Sequence, residues 1–419
     1  MEINGAKILI DGMQLEQLNG RGIKTYSKNL IKAYKALGAN PSVLISDYPQ
    51  MADIGISPDV ASLLKKMSYW DYVKYVYPLL INTIRGNASN AEIIDIPKGI
   101  NLPEGFSFIN DASVYVSPEC YNIAKRFRLL GLKLTISLKP KVDIWHTTYK
   151  MAIKIKGAVR VSTIHDINPL RSPDTSRFFK GKYSQYIKDT LKDSKLILCV
   201  SQHTKKDLID YFNVNPDRLI VNYQPVLLTN EVIAEDEIYD RLTTFDLKYG
   251  QYILFIGLTS NKNLKRFMEA FLRLSIEIPL VIVGKPKPAQ LDVEFKKAII
   301  NKRIRIFNYV SESDKYILYK SAMFLAFPSL YEGFGLPPIE AMSVGVPVLT
   351  SSVSCMPEVC GDAALYVDPY DVEDIADKIT MMINDKELRK RLITKGYERA
   401  KIFSMDNFIK GLKTAYSKL

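Results

Sequence analysis

Two glutamates occur in a stretch of the sequence that carries no other charge. Glu332 and Glu340 have seven residues between them within PSLYEGFGLPPIEAMSVGVPVLTSS, residues 328–352. The preceding run MFLAFPS predicts a strand, and Pro337 and Pro338 predict the start of a helix, because proline suits the first helical turn. We therefore expect Glu332 on a loop at the carboxyl end of a strand, and Glu340 in the first turn of the next helix.

Carboxylates placed in this way suit a ligand that contains both a sugar and a phosphate. In open α/β folds, ligands bind beyond the carboxyl ends of strands, where helix amides favour anions. Carboxylates accept strong hydrogen bonds from hydroxyl groups, and Gly333 and Gly335 let the backbone approach a ligand closely. The pattern indicates a nucleotide-sugar site. The alternative is that Glu340 only complements its helix dipole and that Glu332 is an exposed loop residue.

The elements that position these residues alternate along the chain. Apolar, strand-like runs such as KILID, PSVLIS, QYILFIG and PLVIVG are separated by segments of helical periodicity, including residues 27–37 and 176–193. This alternation predicts an α/β fold with parallel sheets that are covered by helices on both faces. The length of 419 residues favours two such domains.

The predicted domain boundary lies where the alternation stops. Residues 225–249 are acidic and look like a loop, so the domains are expected to join there. The predicted organisation is an N-terminal acceptor-side domain over 1–225, a C-terminal nucleotide-sugar-binding domain over 246–400, and a C-terminal helix over 401–419. Residues from about 47–140 fit the alternation poorly, and we interpret them as an insertion in the first domain.

Composition narrows the class of protein. The net charge of +12 favours an anionic partner, but no DNA or RNA recognition motif is visible, so no nucleic-acid partner is predicted. The sequence shows neither a signal peptide nor an apolar run of eighteen residues, which predicts a cytoplasmic protein. Its four cysteines are scattered, with no C-x-x-C pair, and are expected to be free buried thiols.

One basic segment suggests contact with a membrane. Residues 125–141, KRFRLLGLKLTISLKPK, contain six lysines and arginines and no acid. The interleaved leucines indicate an amphipathic segment that rests on an anionic membrane surface, at the inner face of the cell membrane. The alternative is a solvated basic face over buried leucines.

The stretch FPSLYEGFGLPPIEAMSVGVPVLTSSVSCMPEVCGDAALYVDP closely resembles the signature of the retaining glycosyltransferases of family GT4. The resemblance extends over nearly the whole chain except 47–140. It implies the GT-B fold, an α/β architecture of two Rossmann-like, doubly wound parallel-sheet domains that face a cleft. In that family the second glutamate binds the donor ribose and the first lies near the transferred sugar, which implies these roles for Glu340 and Glu332. The backbone amides implied to contact the sugar and diphosphate are those of Phe334, Gly335 and Leu336.

Two further segments resemble donor-binding parts of the family. LNGRGIKTYSKNLIKAYKALG resembles its first glycine-rich loop and helix, so the amides of Gly20 and Gly22 are implied to meet the donor phosphates. FIGLTSNKNLKRFMEAF resembles the segment that grips the diphosphate, with Gly257 and Lys262 at the matching positions. Asn261 departs from an arginine that the family often has there, which leaves Lys262 with more of the charge stabilisation.

The acceptor side is predicted from histidines at strand ends. His165, in VSTIHDINPLRSP, resembles the family histidine near the transferred sugar, and Asp166 could hold a hydroxyl group. His146, in IWHTTYK, is expected to line the acceptor cleft. The residues implied to be catalytic are His165, Glu332 and Lys262.

The resemblance implies transfer of a hexose from a nucleotide-diphosphate donor to a polysaccharide or lipid-linked glycan, with retention of configuration. GDP-mannose is the first choice of donor, and UDP-sugars and dTDP-rhamnose stay open. No Asp-x-Asp triplet occurs, so neither a metal nor another cofactor is expected. The alternative is a non-catalytic nucleotide-sugar-binding protein or scaffold, which the Asn261 departure favours; a sugar-nucleotide epimerase and a nucleic-acid binder are the remaining rivals.

Overall fold

The computed structural model describes residues 2–16, 22–46, 69–85, 87–94, 108, 110–226, 233–286 and 293–419. Within these ranges the chain forms two sheets, each covered by helices. No helix in the described ranges is long and apolar enough to cross a membrane. All four cysteines are buried and free, as the sequence predicts.

The first sheet contains ten strands among the described residues. They are β1 Lys7–Asp11, β2 Asn40–Ile45, β3 Ser89–Ile94, β4 Ser113–Val116, β5 Leu134–Leu138, β6 Ile144–Thr147, β7 Ile153–Ile155, β8 Val159–Ile164, β9 Leu196–Cys199 and β10 Leu219–Val221. Their order is β10-β9-β8-β6-β1-β2-β4-β3-β5-β7. Strand β3 pairs antiparallel with β4, and β5 and β7 continue in the direction of β3, so one edge of this sheet runs opposite to the rest.

Two helices of the first domain begin after a serine that caps them. The described helices of this domain are α1 Gly22–Ala36, α2 Tyr69–Ile84, α3 Cys120–Leu129, α4 Asn168–Arg171, α5 Arg177–Asp193 and α6 Gln202–Phe212. Ser176 and Ser201 precede α5 and α6, and their hydroxyl oxygens accept hydrogen bonds from backbone amides of the first turn.

The second sheet has six parallel strands in the order β13-β12-β11-β14-β15-β16. They are β11 Ile253–Ile256, β12 Leu280–Val283, β13 Ile304–Phe307, β14 Phe324–Phe327, β15 Val348–Ser351 and β16 Ala364–Val367. This is the strand order of a Rossmann-like sheet, in which the direction of winding reverses between β11 and β14. Ligands bind at such a switch point, because the loops after the two strands diverge there.

The remaining helices belong mostly to the second domain. They are α7 Glu235–Thr244, α8 Leu264–Arg273, α9 Val293–Ile300, α10 Glu312–Lys320, α11 Leu336–Ser343, α12 Met356–Cys360, α13 Val372–Asn384, α14 Lys386–Ile402 and α15 Met405–Tyr416. The last helix returns to the first domain, where Phe408, Leu412 and Tyr416 are buried and α15 packs against α1.

Three segments differ from their sequence predictions. The acidic junction contains a helix, α7, whose first turn holds three acids that stabilise its positive end. Strands β3, β4 and β5 fall inside the range 47–140, yet they are part of the first sheet. The basic segment 125–141 is not one amphipathic element: it ends α3, turns, and enters β5, so Leu129 and Leu130 are exposed (69% and 64%) whereas the leucines of β5 are buried.

Candidate donor and acceptor site

Lys262 and Glu332 meet at the switch point of the second sheet. Lys262 follows β11 and Glu332 follows β14, the two strands at which the winding reverses. Lys262 Nζ lies 2.6 Å from Glu332 Oε1, and Asn261 Nδ2 donates to the same oxygen at 2.9 Å. The lysine and glutamate side chains are only 15% and 13% exposed, so the pair is held in a partly desolvated position. Asn261, the departure from the family arginine, therefore supports the carboxylate.

The absence of a side chain at Gly257 leaves space for the Lys262 side chain. The glycine has a left-handed φ of +85°, and a Cβ placed on it would lie 3.2 Å from Lys262 Cε. The Lys262 ammonium also lies 4.3 Å from the centroid of the Phe327 ring, within the range of a cation–π contact. These contacts fix the direction in which the lysine reaches the switch point.

Glu340 is held by two residues of α10. Lys315 Nζ lies 2.7 Å from its Oε1, and the Tyr319 hydroxyl donates to its Oε2 at 2.6 Å. Helix α11 begins at Leu336, one residue before the two prolines, which places Glu340 in the second helical turn rather than the first. Both carboxylate oxygens have protein partners, so a ligand that reaches Glu340 meets a carboxylate of fixed orientation.

Glu340 raises the pKa values of the two residues that donate to it, Lys315 and Tyr319. Burial lowers the pKa of Lys315, but the attraction of Glu340 and Glu312 and the hydrogen bond to Glu340 together outweigh it, and the net result is a raised pKa. The pKa of Tyr319 is well above its ordinary value, first because the phenol is buried and then because Glu340 lies beside it. Lys315 and Tyr319 therefore stay protonated and continue to donate to Glu340 at neutral pH.

The loop between β14 and α11 brings Gly22 and Leu336 together. Gly335 is left-handed, with φ of +83°, and turns the chain into α11. Phe334 is buried, with its ring centroid 5.2 Å from that of Phe403. A Cβ placed on Gly22 would lie 3.0 Å from Leu336 Cδ1, so these two predicted donor-binding residues face each other across the domains. Gly20, the other glycine of that prediction, lies outside the described residues.

His165 and Asp166 line a cavity of about 320 Å³ in the first domain. The Nε2 atom of His165 is buried and has no hydrogen-bond partner in the structure, whereas its ring packs edge-on against Tyr26 with centroids 4.8 Å apart. Burial lowers the pKa of His165 to about 4. Burial also raises the pKa of Asp166, which the amide of Asn168 opposes by donating to its carboxylate at 2.8 Å. His165 is therefore a neutral imidazole with one free nitrogen.

The titration of His165 gives a direct prediction. Because its folded pKa lies near 4, below the ordinary value of about 6.5, we expect its ring to stay neutral at pH 5.5. Heteronuclear NMR of the ring nitrogens can follow this, since the chain has only three histidines. His165→Asn assigns the signal. A protonation midpoint between pH 6 and 7 would contradict the burial described above.

His146 does not lie in this cavity, contrary to its prediction as an acceptor-side residue. It is fully buried, its Nε2 shares a hydrogen bond of 2.8 Å with Thr163 Oγ1, and its Nδ1 shares one with the Tyr34 hydroxyl. Burial lowers its pKa to about 3. Both ring nitrogens are used inside the protein, so His146 joins β6 to its neighbours. Successive side chains of a strand point to opposite faces of the sheet, so a histidine at a strand end faces a cleft only if it lies on the face that borders the cleft.

The two domains touch beside the cavity. Ser201 Oγ donates to the carbonyl oxygen of Gly333 at 2.6 Å. The carboxylate of Glu358, in the second domain, accepts hydrogen bonds from the amides of Gln202 and His203 at 2.6 and 2.9 Å. These amides are the unpaired donors at the start of α6, where a carboxylate is favoured. The contact brings His165 and the Lys262–Glu332 pair into one region.

Sequence reasoning missed Lys315, Tyr319 and Glu358. Lys315 and Tyr319 lie four residues apart on α10, so the spacing shows that they share a helix face but not which carboxylate they meet. Glu358 looks like an ordinary acid in the first turn of α12. No local signal could have identified its contact, because the partner amides are about 155 residues away.

Two families match the chain in succession. The family described as Glycosyltransferase Family 4 matches residues 108–228, and the family described as Glycosyl transferases group 1 matches residues 247–399. The sequence suggested that residues 47–140 lie outside the family resemblance. The first match begins at residue 108, so residues 108–140 belong to the family region. The second match contains both glutamates.

Two curated relatives illustrate the similarity in sequence. The O-antigen chain mannosyltransferase B of Escherichia coli is 33% identical over 270 residues, which cover 62% of this chain and 70% of that protein. The serotype-specific mannosyltransferase WbdA of Escherichia coli is 26% identical over 266 residues, or 59% of this chain. The match spans 32% of WbdA, so the matched residues correspond to about a third of that longer protein.

Solved structures support the same fold. HepE from Anabaena, in complex with UDP and glucose, matches with a TM-score of 0.67 at 12% identity and covers 99% of this chain and all of that one. Sucrose-phosphate synthase from Thermosynechococcus elongatus matches with a TM-score of 0.68 at 14% identity, covering 99% and 98%. The family matches, the two sheets and the spacing of Glu332 and Glu340 all agree with these similarities. The chain belongs to the GT4-like glycosyltransferases and has the GT-B fold.

Proposed function

We propose that the chain transfers mannose from GDP-mannose to a glycan acceptor and that the anomeric configuration is retained. The observation that carries this proposal is the 2.6 Å pair of Lys262 and Glu332 at the switch point of the second sheet, where a nucleotide sugar binds in folds of this kind. A cation and a carboxylate held together suit a ligand in which a phosphate adjoins a sugar.

Lys262 stabilises the leaving group in this scheme. The bond between the sugar anomeric carbon and the diphosphate oxygen breaks, and negative charge collects on that oxygen while the sugar becomes oxocarbenium-like. Lys262 Nζ donates to the departing oxygen, and the amides at the start of α1 and α11 add to the positive potential. Glu332 and Glu340 hold hydroxyl groups of the transferred sugar and the ribose, respectively.

Retention follows if the acceptor attacks from the side that the diphosphate leaves. The acceptor oxygen forms the new bond to the anomeric carbon, and its proton passes to the departing phosphate oxygen. No protein nucleophile is required. The free Nε2 of the neutral His165 is available to a sugar hydroxyl, which places this residue as a hydrogen-bonding group and not as a cation. Asp166 orients the acceptor hydroxyl.

The donor is proposed from the named relatives. The E. coli protein above and RfbU of Salmonella typhimurium, 32% identical over 218 residues, are both called O-antigen chain mannosyltransferases. This favours mannose as the sugar and a growing O-antigen-like polysaccharide as the acceptor. Because Lys262 supplies positive charge at the diphosphate position, we propose that the reaction needs no metal ion.

A donor panel tests the proposal. GDP-mannose, UDP-glucose and dTDP-rhamnose are each incubated with the protein and a mannan acceptor in EDTA, and release of the nucleoside diphosphate is measured. We expect turnover with GDP-mannose and an α-linked product by NMR, as in the donor. A β-linked product would contradict retention, and activity only after Mg²⁺ is restored would contradict metal independence. Binding of GDP-mannose without turnover would favour the scaffold alternative, which the Asn261 departure suggests.

The first domain also carries a surface suited to an anionic membrane. Phe178 and Phe179, at the start of α5, are 72% and 52% exposed, and Leu129 and Leu130 are exposed at the end of α3. The two helix ends adjoin, since Arg128 donates to the carbonyl oxygen of Lys182. The same two helices carry five lysines and arginines near these apolar side chains in the sequence: Lys125, Arg126, Arg177, Lys180 and Lys182. Apolar tips within a basic rim fit acyl chains beneath anionic headgroups.

Sedimentation with lipid vesicles tests this surface. We expect the protein to bind vesicles containing phosphatidylglycerol and to be released by moderate salt, since part of the attraction is electrostatic. The double variant Phe178→Ser, Phe179→Ser should lose most of this binding. Tyr309→Ser, which changes an exposed aromatic in the second domain, is the matched control. Unchanged sedimentation of the double variant would contradict the assignment.

A further inference from the structure

Lys150 is a cation that lines the cavity beside His165. Its side chain is half-buried, and its ammonium lies 3.6 Å from the centroid of the Tyr183 ring and 5.3 Å from that of Tyr149. It takes part in no ion pair with any residue that the structure describes. Burial lowers its pKa to about 8, which means that the position disfavours the charged form of the lysine.

Lys150 and Asp166 line the same cavity but do not contact each other. Each influences the pKa of the other, yet no nitrogen–oxygen distance between them is 4.0 Å or less. Opposite charges that face one void without closing it leave space for a ligand between them. Tyr183 fixes this spacing, because its hydroxyl donates to the backbone carbonyl of Asp166 at 3.0 Å while its ring lies under Lys150.

Asp166 connects the cavity to the proposed donor site. The charges of Glu332 and Lys262 act on the Asp166 carboxyl, and a Cβ placed on Gly333, the residue after Glu332, would lie 2.9 Å from the Asp166 Cβ. The Asp166 side of the cavity therefore lies beside the proposed donor site.

We propose that this cavity is the acceptor subsite and that it takes a sugar bearing a negatively charged substituent, whose anionic group pairs with Lys150. The inference rests on the proposed function for the identity of the reaction. An anion beside Lys150 forms the direct ion pair that no described residue gives this lysine. The opposite end of the same sugar then presents a hydroxyl to Asp166, beside Lys262 and Glu332. A preference for a charged acceptor over a neutral one follows from the spacing of Lys150 and Asp166.

Binding of small probes to the full chain tests the proposal. Methyl α-mannoside, mannose 6-phosphate and methyl glucuronide are titrated by calorimetry or ligand-observed NMR, with inorganic phosphate as a fourth probe. We expect at least one of the two anionic sugars to bind about tenfold more tightly than the uncharged methyl mannoside, because a charge-assisted contact replaces a neutral one. A preference for the phosphate or for the carboxylate identifies the source of the anion. Inorganic phosphate alone should bind more weakly than the preferred sugar.

Two variants decide whether Lys150 is responsible. Lys150→Met keeps the length of the side chain and should abolish the preference for the anionic sugar. Lys154→Met, an exposed lysine on β7, should keep it. Equal binding of charged and uncharged sugars, or an unchanged preference in Lys150→Met, would overturn the proposal. Binding of GDP, measured on the same samples, reports on the donor site separately: its absence in the wild type overturns the proposed function, while the sugar titrations still report on the cavity.

Discussion

Replacing Lys262 with methionine should lower kcat by about 10²- to 10³-fold, the size of effect that follows removal of one preorganised oxyanion-hole donor. Methionine keeps most of the volume beside Gly257 and Phe327 but cannot donate to the departing phosphate. The Glu332 carboxylate keeps its hydrogen bond from Asn261, so the fold should survive. Nucleotide release from the donor at saturating concentration gives kcat, and thermal unfolding checks stability.

Lys265→Met is the matched control for this variant. Lys265 lies three residues further along, on the exposed face of α8, and should tolerate the same change with kcat within about twofold of wild type. If Lys262→Met were equally active, the leaving group would be stabilised by some other residue. The proposed mechanism would then be wrong at its main step.

Replacing Gly333 with alanine should separate binding from turnover. An added Cβ would lie 1.9 Å from the carbonyl oxygen of His165 and 2.9 Å from the Cβ of Asp166, so the two domains must move apart. Lys262 and Glu340 both lie in the second domain and keep their places. We expect turnover to fall about 100-fold, since a displacement of about 1 Å between reacting groups has an effect of that size. The affinity for GDP should change little.

The control for Gly333→Ala is Gly181→Ala. Gly181 lies inside α5, where an added Cβ meets no other atom, and alanine favours a helix by up to about 1 kcal/mol. This variant should retain full turnover and the wild-type solution scattering curve. Gly333→Ala should give a larger radius of gyration. If Gly333→Ala kept both turnover and shape, the contact between its loop and His165 would not exist in the active protein.

The local features of the site could be predicted from the sequence. Strand ends, glycines with positive φ, and the serine cap of α6 depend on residues close in the chain, and these are where the alternating pattern places them. Lys262 and Glu332 are 70 residues apart, yet their meeting could be expected, because parallel strands end at the same edge of a sheet. The family resemblance assigned their roles.

Contacts that depend on the direction in which a side chain points could not be predicted from the sequence. His146 and His165 both end strands of the first sheet, but only His165 lines the cavity, since His146 is turned toward Tyr34. The ion pair of Lys315 and Glu340 depends on how α10 packs beside α11, and the spacing of residues in the sequence does not show this packing. The reversed edge of the first sheet was missed for a similar reason: its strands are short, and only their pairing reveals their direction.

Nucleotide binding by the full chain is the most direct test of the central claim. GDP, UDP, dTDP and ADP are titrated by calorimetry in EDTA, with wild type, Glu340→Gln and, as a control, the exposed Glu277→Gln. We predict that GDP binds more tightly than the other three, that Glu340→Gln weakens it about tenfold or more by loss of a charge-assisted hydrogen bond to the ribose, and that Glu277→Gln does not. Binding of none of the four nucleotides, or equal binding of GDP by wild type and Glu340→Gln, would contradict the central claim.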